Sequence, residues 1–146
     1  MLAADVMTKD LLSVKSDTLI GEALALMQTR DIRHLLVLDE GHLRGVLSNR
    51  DYRRVLYRAD PEGTIRGVNT ITVSEIMTPA EAVTTAHPDT PLLNVAQLMV
   101  LKKVGCIPVL GSGGRVTGLL TQKDVMAHLT RPQLPDRFTA GAHPAG

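Results

Sequence analysis

The feature that most constrains this chain of 146 residues is an internal duplication. Two heptads, GVLSNRD and GLLTQKD, each carry a glycine, two apolar residues, a hydroxyl residue and, three positions later, an aspartate. The flanking segments recur in the same order, with a spacing of 70 residues from Met7 to Met77 and 73 from Asp51 to Asp124. They are DVMT and EIMT, SDTLIGEALALM and PDTPLLNVAQLM, and HLLVL and CIPVL. A recurrence at this spacing indicates two copies of one structural unit.

Each copy predicts the same order of elements, namely strand, helix, strand, strand and helix. Thr18 and Thr90 are N-cap candidates for the first helix of each copy. After the second of these, Leu92, Val95 and Met99 recur at helical spacing and mark one apolar face. An apolar strand, a glycine-containing turn and a second strand follow, as in a hairpin, and the heptad then begins the last helix.

The duplication predicts how the chain is organised. One copy of roughly 50 residues is too small to bury its apolar faces well alone. We therefore predict an α/β fold in which two tandem β-α-β-β-α repeats pack about a pseudo-twofold axis. Residues 1–72 form the first repeat with an inter-repeat loop, residues 73–130 the second, and residues 131–146 a disordered tail.

Composition argues against several classes of protein. The chain has 44% hydrophobic and 21% charged residues, which is typical of a soluble globular domain. A net charge of +1 with 2% aromatic residues argues against a nucleic-acid binder. Apolar runs are too short for a membrane span, no signal peptide is recognisable, and the lone Cys106 suits the cytoplasm. The histidines lack metal-site spacing, so we expect no metal.

In the order and duplication of its segments, the chain resembles a tandem pair of CBS domains, the modules named after cystathionine β-synthase. The resemblance rests on the VMT and IMT openings, the DT-started helices, the RHLLVL and GCIPVL strands and the two G-x-x-[ST]-x-x-D heptads. The layout is similar to stand-alone bacterial pairs of the acetoin-utilisation type. The resemblance implies a module that commonly dimerises and whose inter-repeat cleft binds AMP, ADP, ATP or S-adenosylmethionine.

The resemblance also implies site residues. Ser48 and Asp51 correspond to one nucleotide site, and Thr121 and Asp124 to the other. In such sites the aspartate holds the ribose hydroxyls and the hydroxyl residue lies near the phosphate. Arg33 matches the basic strand position that meets the phosphate.

The residue chemistry fits this assignment but leaves an alternative open. A helix N-terminus presents unpaired N–H groups and a partial positive charge, which favour a phosphate. A carboxylate accepts one hydrogen bond from each of two adjacent ribose hydroxyls. S/T-x-x-D also resembles a helix capping box, which is the alternative for both heptads. Capping and ligand binding are compatible, because the same helix terminus serves both.

Adenine requires an apolar slot with backbone donors and acceptors nearby. Candidates lie beside the heptads, on the predicted strands of each copy. Core packing is the alternative for every one of them. They are Val14, Leu35 and Leu36 in the first copy and Ala86, Ile107 and Pro108 in the second.

The two sites are not expected to be equal. The first copy offers Arg33, His34 and Arg50 around its heptad, whereas the second has a glycine and a cysteine at the strand positions and Lys123 as its nearest cation. Arginine donors strengthen phosphate binding. We therefore expect the first site to favour a charged nucleotide, and the second to be weaker or to prefer a less negative ligand.

The predicted function is a non-enzymatic regulatory module that senses an adenine nucleotide or S-adenosylmethionine. Its expected partners are a second copy of itself and an unidentified effector protein. The alternative is a ligand-free dimerisation or protein-interaction scaffold in which the heptads only cap helices. An enzyme ranks third, because no nucleophile–base pair is recognisable in the sequence.

Overall fold

The computed structural model describes residues 1–56 and 69–130. The predicted tail and most of the inter-repeat loop lie outside these residues. Short 3-10 turns occupy Ala80–Ala82 and Ser112–Gly114. In chain order the helices and strands are α1 (Ala3–Val6), β1 (Ser13–Val14), α2 (Ile20–Thr29), β2 (His34–Asp39), β3 (His42–Ser48), α3 (Asn49–Leu56), α4 (Val73–Ile76), β4 (Thr78–Pro79), α5 (Leu92–Lys102), β5 (Cys106–Leu110), β6 (Val116–Thr121) and α6 (Gln122–Leu129).

The predicted α/β repeats are confirmed. In the first repeat, β1 runs parallel to β2, which forms an antiparallel hairpin with β3 before α3 begins. The second repeat has the matching β5–β6 hairpin before α6. Its first strand is reduced to one parallel bridge between Ala86 and Val109. The strands form a four-stranded sheet in the order β1-β2-β3-β4 and a two-stranded sheet of β5 and β6.

Helices α2 and α5 confirm the apolar face expected from the helical spacing, but their caps differ from the prediction. Leu92, Val95 and Met99 are all buried. The helices begin after Leu19 and Pro91, neither of which forms a side-chain cap, so Thr18 and Thr90 are not the caps. The Thr90 hydroxyl instead accepts a hydrogen bond from the His87 N–H (3.0 Å), which stabilises the preceding turn.

Three hydrophobic cores hold the fold together. In each repeat, the long helix packs its apolar face on the hairpin. The third core contains residues of both repeats, including Leu36 and Val46 from the first and Cys106 from the second. Since burial of apolar surface drives folding, this shared core binds the repeats to each other.

The opening segment of each repeat packs on the other repeat. Thr8 exchanges two backbone hydrogen bonds with Leu119 of β6, at 2.9 and 3.0 Å. Its counterpart Thr78, in β4, pairs with Val46 of β3, which is the counterpart of Leu119. Order along the chain assigns each segment to the repeat that it opens, so the exchange is not visible in the sequence.

The short helices of the openings repeat this exchange. Ala3 N–H donates to the Thr90 carbonyl (2.8 Å), and Val73 N–H donates to the Thr18 carbonyl (2.7 Å). Ala3 and Val73 are both fully buried. Each opening therefore contributes an apolar side chain to the core of the opposite repeat as well as backbone hydrogen bonds.

These reciprocal contacts establish the pseudo-twofold relation between the repeats. Each contact recurs with the two repeats interchanged. His42 forms a bridge with Arg115, its own counterpart in the second repeat. A residue meets its own counterpart only close to a twofold axis. The predicted packing about a pseudo-twofold axis is therefore confirmed.

The exchange explains why each heptad begins with glycine. A Cβ on Gly45 would collide with the Thr78 carbonyl oxygen and lie 2.7 Å from Met77 Sδ. A Cβ on Gly118 would lie 2.5 Å from Met7 Cγ. The methionine of each VMT or IMT opening thus covers the heptad glycine of the other repeat.

Gly45→Ala tests this close approach. We expect it to lower the free energy of unfolding by about 3 kcal/mol, because the backbone carbonyl of Thr78 must move to accommodate a methyl group. The control Gly113→Ala adds a methyl with no atom within 4 Å and strains only a positive φ of 71°. It should cost about 1 kcal/mol. Equal losses of unfolding free energy in the two variants, measured by urea denaturation, would contradict the close contact between Gly45 and Thr78.

Candidate functional site

A cavity of about 720 Å³ opens between the two repeats. Three parts of the chain line it. These are the start of β2 with the first heptad and helix, the exchanged segment of β4 and the residues after it, and the turn between α5 and β5. The lining residues are Arg33, His34, Val46, Ser48, Asn49, Arg50, Asp51 and Arg53, then Thr78, Ala82, Val83 and Thr84, then Lys103, Val104, Gly105 and Cys106.

Each heptad forms a capping box at the start of its helix. In the first, Ser48 N–H donates to Asp51 Oδ2 (3.0 Å) and Asp51 N–H donates to Ser48 Oγ (3.3 Å). In the second, Thr121 N–H donates to Asp124 Oδ2 (3.1 Å) and Asp124 N–H donates to Thr121 Oγ1 (3.2 Å). Helix capping, the alternative role expected of both heptads, is therefore present at both, with aspartate replacing the usual Glu or Gln.

The two capping aspartates differ in their surroundings. Asp51 is 4% exposed and lines the cavity. Asp124 is half-buried and does not line it. A buried carboxylate is costly unless it is hydrogen-bonded or paired, and the cap supplies part of that compensation. The first heptad therefore places a desolvated acceptor at the wall of a cavity, whereas the second does not.

A backbone hydrogen bond joins the residue before β2 to the first residue of α3. Asn49 N–H donates to the Arg33 carbonyl (3.3 Å), and in the second repeat Gln122 N–H donates to the Gly105 carbonyl (2.8 Å). This bond holds Arg33 beside the first turn of the helix. The amides of Asn49 and Asp51 are therefore both used within the protein, so the helix terminus offers fewer unpaired N–H groups than the sequence predicts.

The predicted nucleotide-binding residues divide into two groups. The first group lines the cavity from the start of β2, the heptad and α3, whereas the second lies at the start of α6 and does not line it. The groups are Arg33, His34, Ser48, Arg50 and Asp51, and Thr121, Lys123 and Asp124.

The residues predicted to contact adenine belong to the hydrophobic cores. None of them is among the residues that line the cavity. Four are less than 2% exposed, Ala86 is 8% exposed, and Val14 packs against the core of the first repeat. Core packing, their alternative role, accounts for these positions. The four are Leu35, Leu36, Ile107 and Pro108.

Sequence reasoning missed cavity residues that come from outside the first heptad. Thr78, Val83 and Thr84 belong to the exchanged segment, and Lys103 belongs to the opposite repeat. No local signal pointed to them, because they reach the cavity only through the exchange and the packing of the repeats. Arg53 follows Arg50 by one helical turn, and that spacing was a usable signal.

The model of the CBS domain family matches residues 3–58 and 73–131, which is most of the chain. The chain belongs to the CBS domain family. The two matched segments each contain one heptad, so the resemblance drawn from those motifs is confirmed, and the cavity lies between the two CBS domains.

Two curated relatives show how this CBS pair compares in length. A CBS domain-containing protein of Dictyostelium discoideum is 29% identical over 131 residues, covering 86% of this chain and 89% of that protein. Protein MJ1225 of Methanocaldococcus jannaschii is 26% identical over 129 residues, covering 85% of this chain but 45% of that protein. This CBS pair therefore spans less than half of the latter relative.

Two solved structures with bound ligands share the fold. The CBS domain pair of protein MJ0100, in complex with 5′-methylthioadenosine and S-adenosyl-L-methionine, matches with a TM-score of 0.76 and 30% identity, covering 90% of this chain and 97% of that one. CBSX2 of Arabidopsis thaliana, in complex with AMP, matches with a TM-score of 0.78 and 26% identity, covering 89% and 96%. Both neighbours thus bind adenosine-containing ligands.

Burial shifts the pKa of two groups that line the cavity, His34 and Cys106. Burial lowers the pKa of His34 below its usual 6.5, the Asp51 carboxylate opposes this shift, and Arg33 and Arg50 add to it. Burial raises the pKa of the Cys106 thiol to about 12, so the cysteine stays protonated near neutral pH. Among residues 1–56 and 69–130, no helix is long and apolar enough to cross a membrane.

His34→Asn tests the burial of the imidazole. Below pH 6.5 the unfolded chain takes up a proton at His34 more readily than the folded chain, so the CBS pair should lose stability as the pH falls through this range. The variant should lose less stability between pH 7 and pH 5 in urea denaturation. His42→Asn, which removes an exposed imidazole, is the matched control. Identical pH slopes for the wild type and His34→Asn would contradict the account.

Proposed function

We propose that this CBS pair is a regulatory module that binds an adenine nucleotide in the cavity between its repeats. One observation carries the proposal. The cavity gathers a buried capping aspartate, its hydroxyl partner and two arginines from separate elements, together with walls from the opposite repeat. The adenosine ligands of the MJ0100 pair and of CBSX2 support the same ligand class.

Asp51 is the proposed partner of the ribose. A carboxylate has two oxygens that can each accept hydrogen bonds. In Asp51, Oδ2 accepts from the N–H and the hydroxyl of Ser48. Two adjacent ribose hydroxyls, both donors, complement such a group. Because Asp51 is held by the cap before ligand arrives, little side-chain freedom is lost on binding.

The phosphate is proposed to lie at the start of α3. The positive end of the helix faces the cavity there, and Arg33 and Arg50 border it. Arginine forms charge-assisted hydrogen bonds with phosphate oxygens. The N-terminal amides contribute less than the sequence suggests, since two are already bonded, so the arginines carry more of the binding.

The base is proposed to lie against the apolar part of the cavity wall. Val46 of β3, Val83 of the exchanged segment and Cys106 of β5 supply that surface. A ligand there contacts both repeats and the exchanged segment at once. It therefore stabilises the arrangement of the repeats in which these walls are closest, which is the requirement for a ligand-driven shift.

The second heptad is proposed to be the weaker site. Thr121, Lys123 and Asp124 retain the sequence pattern, but the cavity beside the first heptad does not extend to them. In the described residues, Asp124 uses Oδ2 to cap α6 and shows no hydrogen bond at Oδ1. An acceptor is thus present there, whereas Arg33, Arg50 and Arg53 line the cavity beside the first heptad.

CBS pairs are generally regulatory modules, and we propose that this chain likewise acts without catalysis, in the cytoplasm, as a homodimer that signals to an effector protein. The complete capping boxes favour a second candidate, a ligand-free scaffold in which both heptads serve only the helices. The two candidates differ in whether an adenosine ligand stabilises the fold.

Asp51→Asn separates the two candidates, with Asp124→Asn as a matched control. The two aspartates make nearly the same cap contacts, so each variant removes the capping carboxylate of one helix. For the wild type, a nucleotide at 100 times its dissociation constant should add about 2.7 kcal/mol of stability. Loss of the buried carboxylate should weaken binding of AMP, ADP or ATP about tenfold to a hundredfold, as measured by calorimetry and thermal shift.

The control should keep most of the wild-type affinity for these nucleotides, because Asp124 does not line the cavity. S-adenosylmethionine belongs in the same ligand panel. The scaffold becomes the better account if none of the four compounds shifts the melting temperature of the wild type. Equal losses of affinity in the two variants would count against the cavity as the site.

A further inference from the structure

We propose that the cavity selects a nucleoside di- or triphosphate, and that Lys103 of the second repeat is a specificity-determining residue that holds the terminal phosphates. This inference rests on the proposed function and narrows its ligand class. It follows from the charges on the cavity wall, from the comparison of the two repeats, and from the helix ends that face the cavity.

The charge of the cavity wall is strongly unbalanced. Among the described residues that line it, four are cationic and Asp51 is the single acidic one. Burial lowers the pKa of His34, so the imidazole adds no charge near neutral pH. One phosphate monoester carries only about −1.5 to −2 charges near neutral pH, which leaves part of this excess unpaired. The cations are Arg33, Arg50, Arg53 and Lys103.

The pseudo-twofold relation allows each of these cations to be compared with the matching residue of the other repeat. The residues of the other repeat that match the four cations include one cation, one anion and two uncharged residues. The duplication alone therefore does not account for the four cations, because three of the four matching positions in the other repeat are not cationic. In the same order as the cations above, the counterparts are Gly105, Lys123, Met126 and Asp31.

The Lys103 position differs most between the repeats, because its counterpart Asp31 has the opposite charge. Lys103 directly follows α5 and Asp31 lies two residues after the end of α2, and both adopt the left-handed conformation, with φ of 55° and 52°. The backbone shape is thus shared and only the side-chain charge differs. Lys103 is exposed and borders the cavity, so its ammonium group is accessible to a ligand.

Two helix ends border the cavity. The positive end of α3 lies beside Arg33 and Arg50, which favours the first phosphate. The carbonyl end of α5 also borders the cavity, next to Val104, and would repel an anion. Lys103 directly follows α5 there, and its cation offsets this repulsion. A chain of two or three phosphates that starts at α3 therefore has a further cation available to it in Lys103.

The same charges disfavour a cationic ligand. S-adenosylmethionine carries a positive sulfonium centre where a nucleotide carries phosphate, so Arg33, Arg50 and Lys103 would repel it. A single phosphate would be satisfied by the arginines alone. The expected order of affinity is therefore di- and triphosphate first, AMP next and S-adenosylmethionine last.

Calorimetry with AMP, ADP, ATP and S-adenosylmethionine, without Mg²⁺ and at constant ionic strength, tests the inference on the whole chain. ADP and ATP should bind at least tenfold more tightly than AMP. Lys103→Asn should weaken ATP binding about tenfold and AMP binding less than threefold. Asparagine tolerates the left-handed backbone of this position, so the fold should persist.

Lys102→Asn is the matched control, since it removes the same charge from the adjacent exposed residue, which does not line the cavity. It should change ATP affinity less than threefold. Arg53→Gln is a second test of the same selectivity, and it stands if Lys103→Asn fails to fold. It should likewise weaken ATP binding more than AMP binding.

The outcomes separate this inference from the proposed function. Binding of AMP as tight as that of ATP, or an equal loss of AMP and ATP affinity in Lys103→Asn, would overturn the inference and leave the nucleotide module standing. A larger ATP effect in Lys102→Asn than in Lys103→Asn would also overturn it. If none of the four compounds binds, both the inference and the proposed function are wrong.

Discussion

The structure depends on the reciprocal exchange of the two opening segments. Each opening forms backbone hydrogen bonds with the heptad strand of the other repeat, as Thr8 does with Leu119 and Thr78 with Val46. Backbone pairing requires close approach, and Gly45 and Gly118 permit it where a methyl group would collide. Two units that are each too small to be stable alone thereby share their cores. The exchange also places Thr78 and residues 82–84 at the wall of the cavity, so the contact that holds the repeats together also forms part of the candidate site.

The capping aspartate connects helix stability to the proposed ligand. Asp51 and Asp124 cap their helices with closely similar geometry, but only the first is nearly fully buried at the cavity. A capping residue typically contributes about 1 kcal/mol, which is independent of any ligand. The second heptad therefore serves as a reference for the first within the same chain. The difference between the two heptads lies in their surroundings, namely the arginines and Lys103, and not in the motif.

The sequence predicted what is local and periodic. The helix face of Leu92, Val95 and Met99, the hairpins and both capping boxes follow from spacing along the chain. The exchange was not predictable in this way, because matched segments show that copies exist but not which copy each segment contacts. Lys103 was missed for the same reason, since it reaches the cavity from the opposite repeat. The predicted caps at Thr18 and Thr90 failed because each helix starts one residue later than the pattern suggested.

The most direct measurement is a titration of the ¹⁵N-labelled chain with ATP, followed by amide chemical shifts. We expect the largest saturable changes at Arg33, at residues 48–51 and at Gly105, all of which line the cavity. Lys123 and Asp124 should respond much less, because they do not line it. Changes that are largest at residues 121–124, or no saturable change at residues 48–51, would contradict the assignment of the inter-repeat cavity as the nucleotide site.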